Sequence, residues 1–262
     1  MLNLRYLANA VIHAHLRFQQ ANSVLPFLAA SSMSIHSFRD EVVRGFGDFY
    51  LSDREILDGL MPWERKLYGH IKPGERVLLV GCGSGRDLLP LLEQGCEVVG
   101  IEPAARPLAR AQEVISQRRL TARLVGGYFE DVDLSGAFDV ISFSYFCYSY
   151  IPVRRRRIEA LRKARRHLAA GGRVFVSYVD EPRRGRGRAV RIARVCGALV
   201  RSDWRLEAGD RVRLGALDAP TFGYEHAFLP GEVADEAREA GLRVAVQGDP
   251  DLCDPFVVLV AD

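Results

Sequence analysis

Val77-Leu78-Leu79-Val80-Gly81-Cys82-Gly83-Ser84-Gly85-Arg86-Asp87 is the stretch whose reading decides the fold. Four apolar residues in a row describe a strand buried on both faces, as in a parallel sheet. Three glycines then alternate with small residues, and Leu88-Leu89-Pro90-Leu91-Leu92 follows as a short helix. Strand, glycine turn and helix form a seat for a nucleotide-like ligand. Glycine lets the backbone approach closely, and the start of a helix offers free N–H groups. A dinucleotide fingerprint, Gly-x-Gly-x-x-Gly, would need a glycine where Arg86 stands.

A second anchor follows in Val98-Val99-Gly100-Ile101-Glu102-Pro103, a buried strand that ends in a carboxylate 21 residues after Gly81. An acid at the tip of the second strand can accept both hydroxyls of a ribose. The Gly81, Gly83, Gly85 spacing with Cys82 inside it resembles motif I of the class I S-adenosylmethionine-dependent methyltransferases. The resemblance covers roughly residues 76–177, and more loosely 226 to the end. It implies that Gly81, Cys82, Gly83 and Gly85 pass under the methionine part of the cofactor, with Glu102 on the ribose. It implies further that the turn Gly127-Tyr128-Phe129-Glu130-Asp131 holds the adenine, and that Ser144 and Tyr145 border the sulfonium. Two positions depart from the family pattern. Leu79 stands where an acid often precedes the first glycine, and Tyr128 where an Asp often meets the adenine amine. The cofactor set expected from the resemblance is Gly81, Cys82, Gly83, Gly85, Asp87, Glu102, Pro103, Tyr128, Phe129, Glu130, Ser144 and Tyr145, with S-adenosyl-L-methionine as cofactor and no metal.

Outward from these anchors the pattern alternates. Strands are expected at 77–80, 97–101, 122–125, 138–143 and 173–178, with helices at 87–94, 104–117 and 153–167 between them. Such alternation predicts a parallel sheet with helices on both faces. Residues 182–225 interrupt it with an Arg-rich helix and two short strands, Trp204–Leu206 and Arg211–Leu214. His226–Leu229 reads as an entry strand, and after a helix to Ala240 come strands at 242–246 and 256–260. The expected architecture is α/β: a seven-stranded, mostly parallel, doubly wound sheet, with residues 1–72 as a helical cap, 73–262 as the catalytic domain, and 182–225 as a cap inserted before the sixth strand.

Composition narrows the class. The chain has 262 residues, 48% of them hydrophobic, enough for a sizeable core. Its five cysteines, Cys82, Cys96, Cys147, Cys196 and Cys253, form no Cys-x-x-Cys pair, which argues for a reducing, cytoplasmic setting and against structural zinc. No run of 18 apolar residues occurs, so no transmembrane span is expected. The net charge of +3 is uneven: residues 151–201 hold sixteen Arg or Lys against three acids, while residues 1–39 hold no acid at all. The first 39 residues read as a cap helix over the site, an amphipathic helix touching a membrane, or a targeting peptide.

The resemblance implies methyl transfer, and the expected acceptor is an oxygen or nitrogen of a small, partly apolar metabolite. Such a transfer is an in-line displacement that needs positioning and dryness, and a base where the acceptor must lose a proton. His226, with its near-neutral reference pKa, and Tyr145 are the expected catalytic pair, ahead of His36 and Tyr148. Tyr50, Phe146, Tyr148, Tyr224 and His226 are the expected acceptor contacts, since Phe143–Tyr150 is unusually aromatic and aromatic faces stabilise a cationic methyl donor. Two alternatives stay open. One is action on RNA or a lipid surface through the Arg-rich face. The other is a non-catalytic homologue that binds the cofactor as a partner subunit. The Arg154–Arg157 run is expected to be a solvated face.

Overall fold

Strand β1 (Arg76–Val80) is the centre of the molecule, and its alternate residues found two cores. Leu78 and Val80 belong to one apolar cluster, Val77 and Leu79 to the other. In this computed structural model, which describes residues 24–49, 56, 59–180, 187–214, 221–249 and 255–261, β1 pairs in parallel with β2 (Glu97–Glu102) and β4 (Phe138–Phe143). Further strands are β3 (Arg123–Gly126), β5 (Leu168–Ser177), β8 (Leu242–Gln247) and β9 (Phe256–Ala261). The seven lie in the order β3-β2-β1-β4-β5-β9-β8, and only β9 runs antiparallel to its neighbours. This is the doubly wound sheet expected from the alternation.

One sheet face is covered by α6 (Arg154–Arg166) and α8 (Glu232–Glu239), whose Ile158, Leu161, Val233 and Ala237 meet Leu78 and Phe143. The other is covered by α3 (Pro62–Tyr68), α4 (Leu88–Glu93) and α5 (Ala105–Gln117), through Trp63, Leu67, Leu88, Leu91, Ala111 and Ile115. Pro62 opens α3, where its missing N–H costs nothing, and Glu64 turns back to accept from the Met61 N–H at 2.7 Å.

A third cluster stands apart from the sheet. It joins the helix at residues 24–32 (α1), α2 (Ile35–Phe49), α7 (Gly187–Leu199), β6 (Asp210–Leu214) and β7 (Phe222–His226) through Phe27, Phe38, Val42, Val190, Ala193, Trp204 and Tyr224. The N-terminal helices and the insertion therefore fold as one layer. Two expectations fail here. Trp204–Leu206 is not a strand, because Trp204 turns inward to stack on Phe38 at 4.8 Å. His226–Leu229 is not an entry strand either. His226 ends β7, which pairs antiparallel with β6, and Phe228 makes a single bridge to Asp180.

Candidate functional site

The glycine loop leaves β1 at the carboxyl edge of the sheet, where ligands of open α/β sheets bind. Gly81 has φ +75°, and a Cβ built on it would lie 2.1 Å from Cys147 Sγ, so no larger residue fits without rearrangement. The N–H groups of Gly81 and Cys82 both donate to the Ile101 carbonyl, at 2.8 and 3.0 Å, tying the loop to the tip of β2. There Glu102 accepts from the Gly83 N–H at 3.0 Å on one oxygen and from the Ala104 N–H at 2.8 Å on the other. Burial raises the Glu102 pKa, and these two N–H groups oppose that shift. Each carboxylate oxygen keeps a lone pair for a further donor.

Asp87 is expected at the cofactor, and it does line the pocket, but its carboxylate is already engaged. It accepts from Tyr68 Oη at 3.0 Å and Ser144 Oγ at 2.5 Å, and it pairs with Arg86 at 2.7 Å. Arg86 in turn grips Glu64 with two bonds, and its guanidinium lies 4.6 Å from the Tyr145 ring centre. Burial, reinforced by the Asp87 charge, raises the Glu64 pKa, and Arg86 resists the rise. Asp87 thus braces the loop from below, joining the glycine turn to the end of β4.

One pocket gathers most of the expected residues. Gly81, Cys82, Gly83, Asp87, Glu102, Pro103, Tyr128, Phe129, Glu130, Ser144, Tyr145 and Tyr224 all line it. Tyr145 and Phe146 carry positive φ values of +26° and +63°. Such strain in residues with side chains is sustained only where the surroundings enforce it, and it clusters at functional sites. A second set of lining residues is apolar: Phe38, Val42, Val43 and Phe46 from α2, with Ile151 and Pro152 after β4. The empty space, open mouth included, is about 1250 Å³. α2 is pinned beside the Tyr128 turn by two contacts. Arg39 donates to Glu130 at 3.0 Å with its guanidinium 3.8 Å from the Tyr128 ring centre, and Tyr128 Oη donates to Asp40 at 2.9 Å.

Several expected residues are not brought to the pocket. Gly85 does not line it: with φ +101° it faces Ala111, and its role is close packing of the turn on α5. Phe146 packs on Trp63 at 5.6 Å. Tyr148 is fully buried, donates to Glu236 at 2.6 Å and stacks on Phe228. His36 is exposed beside Asp40. Tyr50 lies outside the described residues.

His226 is the main correction. It is 1% exposed, and its Nδ1 meets Asp210 at 2.7 Å, while Nε2 has no hydrogen-bond partner and faces Glu232 at 3.6 Å. Burial alone would lower its pKa, but Asp210 and the nearby Glu232 outweigh burial and raise it, against an opposing push from Arg157. Tyr224 and His226, two residues apart, lie on one face of β7 and converge on Asp210, but only Tyr224 reaches the pocket wall. Tyr224 Oη donates to the same Asp210 oxygen at 2.8 Å. Glu207, Asp210 and His226 are close enough to share a cation, yet Arg157 already donates to Glu207 at 2.9 Å and supplies the positive charge.

The Arg154–Arg157 run is not a solvated face throughout. Arg157 is fully buried and is held by Glu236 and Glu207, and Arg154 makes two bonds to Glu239. These arginines bind the insertion and α8 to α6.

A cap over the site is expected from the sequence, but the α2 side chains that wall the pocket are not among the residues assigned to it. Their signal was present: Phe38, Val42 and Phe46 recur every four residues, one stripe of a helix, and Arg39 rides beside them.

Residues 78–174 match the family model described as a methyltransferase domain. Over 109 residues the chain is 32% identical to a cypemycin N-terminal methyltransferase of Streptomyces sp., a match covering 41% of this chain and 43% of that protein. It is 26% identical over 184 residues to a ubiquinone biosynthesis O-methyltransferase of Bordetella avium, covering 70% of this chain and 67% of the relative. The chain thus spans under half the length of the first of these relatives. In structure it resembles the CcbJ methyltransferase from Streptomyces caelestis, with TM-score 0.57, 17% identity, and 76% of this chain and 88% of that one covered. Residues 78–174 are thus similar to a methyltransferase domain, and the sheet, with its seventh strand inserted antiparallel beside the fifth, has the fold of the methyltransferases it resembles.

Proposed function

We propose that this chain transfers a methyl group from S-adenosylmethionine to an oxygen or nitrogen of a small, partly apolar metabolite. The observation that carries the reading is one continuous pocket lined both by the glycine loop with Glu102 and by the apolar stripe of α2. The cofactor supplies an electrophilic methyl group on a sulfonium. Glu102 holds the ribose hydroxyls on the lone pairs its two backbone bonds leave free. Tyr128 and Phe129 flank the adenine, Glu130 is kept in place by Arg39, and the Gly81–Gly83 backbone passes under the methionine portion. The Tyr145 ring, positioned by the strained turn after β4, borders donor and acceptor together. Phe38, Val42 and Phe46 hold the acceptor's apolar part and keep water out.

In this reading the rate comes chiefly from orientation in a dry site. No histidine stands among the described lining residues, so His226 does not take the acceptor's proton. Tyr224, hydrogen-bonded to Asp210, is positioned as part of the acceptor wall and not as a base. A cytoplasmic location, a small-molecule partner, and a cap whose N-terminal part ends before α3, since Trp63 and Leu67 pack on the sheet, belong to the same proposal. Support for the location is that the described cysteines Cys82, Cys96, Cys147 and Cys196 are all free and that no described helix is long and apolar enough to cross a membrane.

Calorimetry with S-adenosylhomocysteine and with NAD tests the cofactor, and turnover on a panel of amines, phenols and aliphatic alcohols tests the acceptor class. Binding of S-adenosylhomocysteine but not NAD, with methylation of at least one panel class, is expected. Tighter binding of NAD would refute the reading. Cofactor binding with no turnover on any class would favour a non-catalytic role.

A further inference from the structure

Helix α7 lies on the surface of the cap with its inner side well packed. Val190, Ala193 and Gly197 are buried against α1 and α2, and the chain then folds back so that Ser202 and Trp204 both donate to the Met33 carbonyl. The opposite side is not polar. Ile192, Val195 and Leu199 fall at i, i+3 and i+7, a single helical stripe, and they are 39%, 61% and 78% exposed. Val200, 56% exposed, extends the stripe past the helix end. Singly exposed aliphatic residues need no explanation, but a contiguous stripe of four does.

The charge around the stripe selects its occupant. Arg188 continues the stripe toward the helix start, Arg191 and Arg194 flank it, and Arg201 follows it, all exposed. From Gly187 to Ser202 there is no acidic residue. α1, which packs beside α7, belongs to the acid-free first 39 residues, and its Leu25 is 52% exposed. An apolar ridge in a wholly cationic border repels a second copy of itself and suits a surface that offers both hydrocarbon and negative charge. On α6, by contrast, Arg154 and Arg157 are engaged with Glu239, Glu236 and Glu207.

We propose that the outer face of α7 is a docking surface for an anionic lipid bilayer, with Ile192, Val195 and Leu199 entering the headgroup–acyl boundary and Arg188 and Arg191 meeting lipid phosphates. The face lies one helix layer from the pocket, because α7 packs on α2 through Val190 and Ala193 and α2 supplies Phe38, Val42 and Phe46 to the pocket wall. Docking would hold the proposed acceptor pocket at a lipid surface, where partly apolar metabolites collect. The attachment itself stands or falls independently of the methyl-transfer reading.

The test is co-sedimentation of the full chain with vesicles of phosphatidylcholine alone and with vesicles carrying about one quarter phosphatidylglycerol, at low and high salt. Binding to the anionic vesicles at least tenfold stronger than to the neutral ones, and weakened by salt, is expected. The V195E/L199E double variant should lose at least tenfold in that binding. The R188Q/R191Q variant should lose the preference for the anionic vesicles. Both variants should keep the wild-type melting temperature within a few degrees and the wild-type affinity for S-adenosylhomocysteine, which separates lost docking from misfolding. Absence of binding to anionic vesicles, or equal binding by wild type and the V195E/L199E variant, would overturn the proposal. So would a dimer, seen by light scattering, that V195E/L199E dissolves, since the face would then belong to a second copy of the chain.

Discussion

Replacing Gly81 by Ala tests the loop at its tightest point. Two separate costs are built into the position. With φ at +75°, an L-residue there gives up about 1–2 kcal/mol to the clash between its Cβ and its own backbone. The new methyl would also stand 2.1 Å from Cys147 Sγ, far inside contact distance, so the sulfur or the loop must shift. Overpacking of that kind costs about 1–3 kcal/mol. The expected loss is therefore about 2–5 kcal/mol in urea unfolding, together with weaker binding of S-adenosylhomocysteine because the displaced loop carries the backbone that faces the pocket. Removing the sulfur separates the two terms. In a Cys147→Ala background the nearest heavy atom is the Cβ of residue 147 at 3.3 Å, a tight contact but a tolerable one. There Gly81→Ala should cost only the backbone share of about 1–2 kcal/mol. The four proteins form a double-mutant cycle with a coupling set by the sulfur. Equal losses in both backgrounds would show that Cys147 does not wall the loop, and a loss well under about 1 kcal/mol in either background would refute the left-handed conformation.

Glu102→Ala should weaken S-adenosylhomocysteine binding by about 1–3 kcal/mol, the scale for unpaired buried donors, measured by calorimetry; an unchanged affinity would remove Glu102 from the ribose. Glu236→Ala should destabilise the fold by about 3–5 kcal/mol, because it strands the fully buried Arg157 guanidinium with Glu207 alone; a loss below about 1 kcal/mol in urea melts would deny that pair its role. His226 gives a pH signature. Its folded-state pKa is raised, so its stabilising contribution is complete below about pH 6.5, its unfolded value, and is lost as pH rises through the folded one. Wild type should therefore exceed His226→Gln in stability by more at pH 6 than at pH 9, and a gap that widens with pH would reverse the sign and refute the assignment.

The sheet was legible because its signals are local. Val77–Val80 is apolar without interruption, as a strand covered on both faces must be, and the glycine turn follows it directly, while Phe138–Phe143 is apolar apart from Asp139 and Ser142. The floor of the site was legible for the same reason, since Glu102 and Tyr128 sit at fixed distances from strand ends. What failed depends on which partner a segment meets. His226 looks like a pocket residue on a line of sequence, but β7 pairs with β6 and not with the sheet, and that pairing turns the imidazole toward Asp210. Arg157 reads as one of four surface arginines until Glu236, 79 residues away, claims it. The α2 stripe is visible in the periodicity, but nothing in the periodicity says that it faces a pocket and not a core.

β9 fills the slot between β5 and β8 with five residue pairs on each side. Neither β5 nor β8 touches the other, so the two parts of the sheet share no ladder until β9 arrives between them. β8 and β9 are neighbours in sequence and antiparallel, a pairing with a short loop to close, whereas β9 meets β5 only across a much longer one. Loop-closure entropy therefore favours the β8–β9 pairing over that of β9 with β5. While the β5 edge is open it presents the buried run Val174-Phe175-Val176 to the solvent with its backbone unpaired, the kind of template on which a second unfolded chain can add a strand. The pairing of β9 with β5 is thus also what closes this edge against a second chain.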